Sequence, residues 1–364
     1  MKINYVSLNK QSKDQSQKLL KIFRDCLNKS IFVNGDEVSK FERKVSRKCG
    51  TKYAVALNSG TDALTLALKL VGIKKGDEVI TPPNSFISST SSIIHLGAKP
   101  VFVDTAEDQN IDPNKIEKKI TNKTKAIMPV HLTGRVCEMN EIIKISKKYK
   151  IPIIEDAAQS IGSKYYGKLA GSIGDIGCFS THPLKNLNAC GDGGFLTTNN
   201  KQYYILAKSL QNNGMLGRNE VKHFGYLSRM DVLQASILDY RLDKLDEVIK
   251  KRRSNFVLYK KLLDRSKIFF PDEKDYQFNT YHTFVIQVEK RDKLINFLKK
   301  KNIQTAIHYP IPIHKQAAYI NKFGKEKYLN TEIQSKKILT LPINQYLTKK
   351  QIIYISENVN SFYK

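Results

Sequence analysis

Short apolar runs alternate with helix-like patterns between roughly residues 50 and 200. The run "YAVAL", for example, precedes "GTDALTLALKLVG", in which Leu64, Leu68 and Val71 share one face of a helix. Regular alternation of strand and helix predicts βαβ units, and therefore an α/β fold with a mainly parallel sheet flanked by helices. Ligands of such sheets bind beyond the carboxyl ends of the strands, so the residues just after each apolar run are the first candidates for a site.

The pattern changes beyond residue 230. Apolar residues at helical spacing continue over a long span, and strand, helix, strand ("QTAIHYP") and helix patterns follow it. The chain has 364 residues, which exceeds the usual size of one domain. We therefore predict a large domain over residues 1–245 and a smaller C-terminal α/β domain over residues 246–364.

The net charge of +27 arises from 61 Lys and Arg against 34 Asp and Glu. Such an excess favours acidic partners, including phosphorylated small molecules. The lysines are scattered along the chain, however, and no helix-turn-helix, zinc module or aromatic-basic RNA motif accompanies them. We therefore do not expect nucleic-acid binding.

Cysteine usage and the N-terminus indicate the compartment. The five cysteines form no C-x-x-C pair and do not cluster with histidine, so we expect reduced thiols and no metal site. The N-terminus lacks the apolar core of a signal peptide, and no apolar run approaches membrane-spanning length. These features predict a cytoplasmic protein without membrane association.

The first strand end carries "NSGTDAL" (58–64). A glycine beside Ser and Thr at the start of a helix offers backbone N–H groups and hydroxyls to an anion, and the helix dipole assists. A phosphate site is one interpretation. The alternative is that Ser59 or Thr61 simply caps the helix.

A second strand end carries "IPIIEDAAQS", with Asp156 and Gln159 three residues apart and therefore pointing the same way. A carboxylate at this position can hold a proton on a heteroaromatic nitrogen, while Gln159 bonds a neighbouring ring substituent. The alternative is an aspartate that caps a helix.

The segment "CFSTHPLKNLNACGDGG" places Lys185 five residues after Ser180. A lysine beside a pocket of low polarity has a depressed pKa and forms Schiff bases with carbonyl compounds; the alternative is one more surface charge. Pyridoxal 5′-phosphate (PLP) needs such a lysine, a carboxylate on its ring nitrogen and an anion cradle for its phosphate. Lys185, Asp156 and the "SGTD" turn with Ser180 supply all three, and their coincidence predicts a PLP site.

Several motifs resemble a known family and occur in the family's order. They include "NSGTDAL", "GDEVITPPNSF", "PVHLTG", "EDAAQSIGSKYYGKLAGSIGDIGCFSTHPLKN", "GDGGFLTT" and "HYPIPIH". From about residue 30 to its end, the chain resembles the DegT/DnrJ/EryC1/StrS sugar aminotransferases, which are fold-type-I PLP enzymes. The resemblance implies a homodimer with active sites at the subunit interface, a keto-sugar acceptor that is usually nucleotide-linked, and glutamate or glutamine as amino donor.

The resemblance also implies roles for individual residues. Lys185 looks like the lysine that bonds the cofactor, Asp156 like the partner of its ring nitrogen, and Gln159 like the partner of its ring oxygen. The phosphate cradle would comprise Thr61, the backbone around Gly60 and Asp62, and Ser180.

Four further residues resemble family positions near the cofactor or substrate. Phe86 matches the aromatic residue that stacks on the cofactor ring, although it is also interpretable as an ordinary core phenylalanine. His308, Tyr309 and His314 in "HYPIPIH" resemble a segment that lines the substrate side, and a purely structural role is the alternative.

Two positions depart from the family pattern. Leu227 stands where relatives have an asparagine that reaches the phosphate of the neighbouring subunit's cofactor. Leucine cannot donate that hydrogen bond, which is worth about 1.5–3 kcal/mol with a charged acceptor, so Ser228 or a lysine must replace it or cofactor affinity falls. The turn "GDGG" carries Asp192 where many members have glutamate.

Some relatives replace the lysine by histidine and dehydrate the sugar instead. The presence of Lys185 favours transamination. A PLP-dependent sugar dehydratase and a non-catalytic PLP-binding regulator remain the alternatives, and the motifs do not specify the sugar, the aminated carbon or the nucleotide.

Overall fold

The structure is a computed structural model that describes residues 1–217 and 219–364. Its strands are β1 (Tyr53–Leu57), β2 (Glu78–Thr81), β3 (Lys99–Phe102), β4 (Thr124–Ile127), β5 (Ile154–Asp156), β6 (Lys164–Tyr165), β7 (Lys168–Leu169), β8 (Ile176–Ser180), β9 (Gly194–Thr198), β10 (Gln277–Phe278), β11 (Phe284–Gln287) and β12 (Ile338–Leu341). Its α-helices are α1 (Leu8–Lys29), α2 (Asp36–Lys48), α3 (Gly60–Leu70), α4 (Ser88–His95), α5 (Met139–Tyr149), α6 (Lys201–Leu210), α7 (Val232–Leu242), α8 (Leu245–Leu262), α9 (Arg291–Lys300), α10 (Ala317–Phe323), α11 (Leu329–Lys337) and α12 (Lys349–Ser361).

The large sheet has the strand order β1–β9–β8–β5–β4–β2–β3. Hydrogen-bonded ladders join β1, β9, β8 and β5, and a second set of ladders joins β4, β2 and β3. Parallel bridges from Ile127 to Ile153 and from Val130 to Asp156 connect the two sets. Only β9 runs against the other strands. The predicted α/β fold with a mainly parallel sheet is therefore confirmed.

Helices cover both faces of this sheet because its strands are apolar on both sides. Along β1, Val55 and Leu57 belong to one buried cluster, whereas Ala54 and Ala56 belong to another. Successive side chains of a strand point to opposite faces, so the two clusters lie on opposite sides of the sheet. Helix α3 packs its predicted apolar face, which includes Leu64 and Leu68, into the first cluster.

The strand register brings several chain segments to one edge of the sheet. Leu57 at the end of β1 pairs with Gly194 at the start of β9, and Gly194 also pairs with Ser180 at the end of β8. One strand further, Asp156 ends β5 opposite Cys178. The segments that follow β1, β5 and β8 therefore start from the same edge, as the parallel order requires.

A second core lies in the C-terminal part of the chain. It contains the antiparallel pair of β11 and β12 with helices α9 and α12. Ile3 from the N-terminus is buried in the same core, where it pairs with Ile303. The division into domains at residue 245 stays a prediction.

The segment "QTAIHYP", which we predicted as a strand, forms no regular strand. Ala306 makes a single bridge with Thr340, and the ladder ends there. Pro310 and Pro312 follow closely, and proline has no N–H to donate to a ladder. The segment instead leads His308 and Tyr309 towards the edge of the large sheet.

None of the helices within residues 1–217 and 219–364 combines the length and apolar composition that a bilayer-crossing segment requires.

A substitution at Gly194 tests how closely the start of β9 must approach the turn after β1. A Cβ atom at this position would lie 2.4 Å from the carbonyl carbon of Ser59 and 2.5 Å from the nitrogen of Gly60. We expect Gly194→Ala to lower the free energy of unfolding by about 1–3 kcal/mol, measured by urea denaturation, because backbone must move to admit the methyl group. The control is Gly217→Ala, since no described atom lies within 4 Å of its Cβ. Equal stability of the Gly194→Ala variant and the native protein would contradict the prediction.

Candidate active site

A cavity of about 400 Å³ lies at the carboxyl edge of the large sheet. Most of the residues proposed from the sequence line it: Gly60, Thr61, Phe86, Asp156, Gln159, Ser180, Lys185, His308 and Tyr309. The structure thus brings together side chains that are separated by up to about 250 positions in the chain.

Lys185 extends into this cavity from the loop after β8. Its backbone N–H donates to the carbonyl of His182 at 2.8 Å, and the neighbouring Asn186 side chain donates to the carbonyl of Thr280 at 3.4 Å, which anchors the loop. Burial disfavours the ammonium form and lowers the pKa of Lys185 to about 8, although the nearby Asp156 carboxylate acts in the opposite direction. Near neutral pH the amine is therefore neutral, and able to attack a carbonyl carbon, far more often than that of an ordinary lysine.

Asp156 is buried at the end of β5. Its Oδ2 accepts a hydrogen bond from the Ser89 hydroxyl at 2.7 Å, and its Oδ1 accepts one from the Ala158 N–H at 3.2 Å. Burial raises the pKa of Asp156, while these two donors and the charge of Lys185 oppose the rise. A buried carboxylate of this kind binds a protonated ring nitrogen well, since that nitrogen supplies both a donor and a positive charge.

Gln159 is held in a defined orientation beside Asp156. Its Oε1 accepts from the Thr133 N–H at 2.9 Å, and its Nε2 donates to the Tyr309 hydroxyl at 3.3 Å. Burial raises the pKa of Tyr309, which keeps the phenol neutral. The ring of Phe86 lies 6.2 Å from that of Tyr309, and 56% of Phe86 is exposed at the cavity, unlike a core phenylalanine.

The "NSGTDAL" segment forms the start of α3. Ser59 caps the helix, since its hydroxyl accepts the Asp62 N–H at 3.0 Å. The first N–H groups of a helix have no partner within the helix, so those of Gly60 and Thr61 remain for an anion. A Cβ on Gly60 would lie 2.7 Å from the Cβ of Ser180, so only glycine allows the two strand ends to meet here. Capping and anion binding are thus compatible, because they use different N–H groups.

Two of the proposed residues lie elsewhere. Asp62 does not line the cavity, and its carboxylate accepts a hydrogen bond from the Ser228 hydroxyl at 2.7 Å. His314 is fully buried against Tyr328, with Nε2 of its ring 3.2 Å from Glu332. The structure therefore places His314 in a separate aromatic cluster, away from the cavity that we expected it to line.

Leu227 and Ser228 occupy the departure from the family pattern. Leu227 is 64% exposed and forms a bridge with Asn212. The Ser228 hydroxyl donates to Asp62 and also accepts the Asn58 N–H at 3.3 Å. Ser228 is thus engaged within its own chain, so it is a poor substitute for the missing asparagine.

Sequence reasoning missed six polar residues of the cavity: Tyr5, Ser88, Ser89, Arg252, His282 and Asn344. Ser88 and Ser89 are the first two residues of α4, and their place at the start of a helix pattern was a usable signal. The other four come from the N-terminus, from α8 and from C-terminal loops. No local pattern marks them, because they reach the cavity only through the packing of distant segments.

Comparison with known proteins decides the family. The sequence model that describes the DegT/DnrJ/EryC1/StrS aminotransferase family matches residues 13–360 of this chain. The chain belongs to this family. The resemblance on which the sequence analysis relied is therefore confirmed, together with the aminotransferase class.

Individual relatives cover nearly the whole chain of this family member. A dTDP-3-amino-3,6-dideoxy-alpha-D-galactopyranose transaminase from Aneurinibacillus thermoaerophilus is 39% identical over 92% of this chain and 93% of its own length. A "Pleiotropic regulatory protein" from Geobacillus stearothermophilus is 35% identical over 100% of this chain and 99% of its own length. The structure of DesV from S. venezuelae, in complex with a ketimine intermediate, has a TM-score of 0.97 and 31% identity, and the alignment covers 100% of this chain and 99% of that one.

Other similar structures contain PLP or its amine form, PMP. PLP is thus the cofactor of this aminotransferase, as the sequence predicted.

The lowered pKa of Lys185 has a measurable consequence. In protein freed of cofactor, we expect the rate of acetylation of Lys185 to rise with a midpoint near the pKa of about 8, because only the neutral amine reacts. Pulse labelling across a pH series, followed by mass spectrometry of the Lys185 peptide, measures the midpoint. Asp156→Asn should move the midpoint lower, because the carboxylate stabilises the ammonium form. A midpoint at the ordinary lysine pKa of about 10.4 would contradict the buried environment.

Proposed function

We propose that this family member transfers an amino group from an amino-acid donor to a nucleotide-linked keto-sugar in the cytoplasm. The observation that carries the proposal is the convergence of the Lys185 amine, the Asp156 carboxylate and the α3 N-terminus on one cavity. The names of the relatives support the sugar substrate, since one is a dTDP-amino-sugar transaminase and another is a GDP-perosamine synthase.

The residues present fit PLP. The contact between Gly60 and Ser180 leaves a turn without side-chain bulk, where the Gly60 and Thr61 N–H groups and the Ser180 hydroxyl would hold the phosphate. Asp156 would hold the ring nitrogen, Gln159 the ring oxygen, Phe86 a face of the ring, and Lys185 the aldehyde carbon. When bound, PLP supplies an electron sink for the carbanion that forms as the amino group moves.

The side chains of this chain perform the remaining tasks. The Lys185 amine, when it is not bonded to the cofactor, would be a base of suitable pKa to take the proton from the donor's α-carbon. Asp156 would keep the ring nitrogen of bound PLP protonated, since loss of that proton would leave the buried carboxylate without its partner. Tyr309 orients Gln159 through its hydroxyl.

A homodimer is part of the proposal. Four exposed apolar residues, Leu216, Val221, Phe224 and Leu227, lie in one segment of the surface. Helix α1 also exposes Leu20, Phe23 and Leu27. Large apolar side chains exposed close together in one segment support a protein–protein interface there.

The main test combines product analysis with a lysine variant. The PLP-loaded protein, supplied with glutamate or glutamine and a panel of nucleotide keto-sugars, should yield an amino sugar detectable by mass spectrometry. Borohydride should fix a pyridoxyl group on Lys185. We expect Lys185→Ala to lower the rate of amine transfer by about 10²–10⁴-fold, because the proton-transferring amine is lost.

Lys168→Ala, at an exposed position of β7, is the matched control and should retain full activity. Loss of water from the sugar without gain of nitrogen would favour the dehydratase. Bound PLP without turnover on any substrate would favour a non-catalytic regulator, the alternative that the name of the Geobacillus relative supports.

The dimer has its own test. Phe224 is 99% exposed, and a charge there should weaken an apolar interface. We expect Phe224→Glu to raise the dimer dissociation constant at least about tenfold, measured by analytical ultracentrifugation. Val257→Glu, at a similarly apolar and exposed position on α8, should leave association unchanged. An identical dissociation constant for Phe224→Glu and the native protein would exclude this surface as the interface.

A further inference from the structure

Arg252 of α8 lines the cavity and has no acidic partner in the described part of the chain. Only 6% of the residue is exposed. Its Nη1 donates to the backbone carbonyls of Tyr281 (3.3 Å) and His282 (2.9 Å), and its Nη2 donates to the Gln345 side chain at 3.3 Å. Within the described residues, no carboxylate lies within 4.0 Å of the guanidinium, and its Nε has no hydrogen-bond partner.

This arrangement leaves a buried charge that is only partly compensated. Burial lowers the pKa of Arg252 to about 10, so the guanidinium stays positive at neutral pH. The adjacent Arg253 shows the usual solution, since its guanidinium pairs with Glu273 at 2.6 Å. A buried cation without such a counter-ion is costly, and an anion bound in the cavity would remove that cost.

His282 lines the cavity together with this cation and the reactive lysine, and the charges of both act on its ring. Its imidazole lines the same cavity, and the Nδ1 atom is buried without a partner in the described part of the chain. Burial, together with the positive charges of Lys185 and Arg252, holds the pKa of His282 well below its usual range. The ring is therefore neutral and can offer one N–H to an anion beside the guanidinium.

The geometry points to a carboxylate site. Resting on the function proposed above, we propose that Arg252 and His282 bind a carboxylate group of the amino-acid donor while its amino group lies at Lys185. The planar fork of a guanidinium matches the two oxygens of a carboxylate. The cavity of about 400 Å³ must also hold PLP, and the space beside the cofactor suits a small amino acid better than a nucleoside diphosphate. Arg252 is thus a residue that selects the donor.

The kinetic test separates the two substrates. In the PLP-loaded enzyme, we expect Arg252→Met to raise the KM for glutamate by about 10- to 100-fold, because a hydrogen-bonded pair with a charged group is lost. The KM for the nucleotide sugar should not change, and Arg252→Lys should recover part of the loss. With glutamate diamide as donor, which has no carboxylate, Arg252→Met should cause little further loss.

Arg135→Met is the matched control. Arg135 is 5% exposed and also donates only to neutral oxygens, those of Pro271, Asp272 and Gln277, but it does not line the cavity. A purely structural arginine should lower Tm without a selective change in the KM for glutamate. If Arg252→Met behaves like Arg135→Met, or if the loss appears in the KM for the nucleotide sugar, the carboxylate site is excluded.

A binding measurement keeps the test independent of turnover. Calorimetry with glutarate, a dicarboxylate of the same chain length as glutamate, should show binding to the PLP-loaded native protein and to Arg135→Met, but binding at least about tenfold weaker to Arg252→Met. Absence of glutarate binding to the native protein would overturn the inference. Glutarate binding without amine transfer to any sugar would instead contradict the proposed function and leave the carboxylate site standing.

Discussion

The alignment of strand ends in the large sheet is the constraint on which the site depends. Leu57, Gly194 and Ser180 lie side by side across three strands, and Asp156 ends the next strand. Gly60 packs so closely on Ser180 that a Cβ would not fit. The phosphate-binding turn, the carboxylate and the loop of Lys185 therefore have a fixed spacing that no single loop could provide. A shift of one residue in β9 would separate these groups and also exchange the apolar faces of the strand.

Burial has opposite effects on the two charged groups at this edge. It lowers the pKa of Lys185 and raises the pKa of Asp156, because in each case it disfavours the charged form. Each group partly restores the charge of the other, and Ser89 and the Ala158 N–H further stabilise the carboxylate. The result suits a PLP enzyme, in which the lysine must be a nucleophile and the aspartate must stay an anion. A more open cavity would stabilise the ionised form of the aspartate, but it would also keep the lysine protonated and therefore unreactive.

The sequence predicted the parts of the site that follow directly from strand order. Gly60, Thr61, Asp156, Ser180 and Lys185 lie at or just beyond the carboxyl ends of strands of the large sheet, so the rule for parallel sheets locates them without knowledge of side-chain packing. The prediction was poorer where packing between distant segments decides. His314 belongs to a motif near Tyr309, yet its ring packs on Tyr328 and does not line the cavity. Similarly, the segment "QTAIHYP" forms a single bridge in place of a strand, and that bridge depends on the position of Thr340.

The basic run "KKRRSN" shows most clearly what a linear pattern leaves out. In the sequence, Arg252 and Arg253 are two equivalent charges among many, and the scattered lysines around them obscure any special role. On α8, consecutive residues point about 100° apart, so the two arginines enter different surroundings. Arg253 stacks on Phe278 at 4.0 Å and pairs with Glu273, whereas Arg252 enters the cavity, where only neutral oxygens meet it. The helix therefore places Arg253 in an ion pair and leaves Arg252 as an incompletely neutralised cation. If the carboxylate site proposed above is correct, a bound substrate supplies the counter-charge that the protein itself does not place beside Arg252.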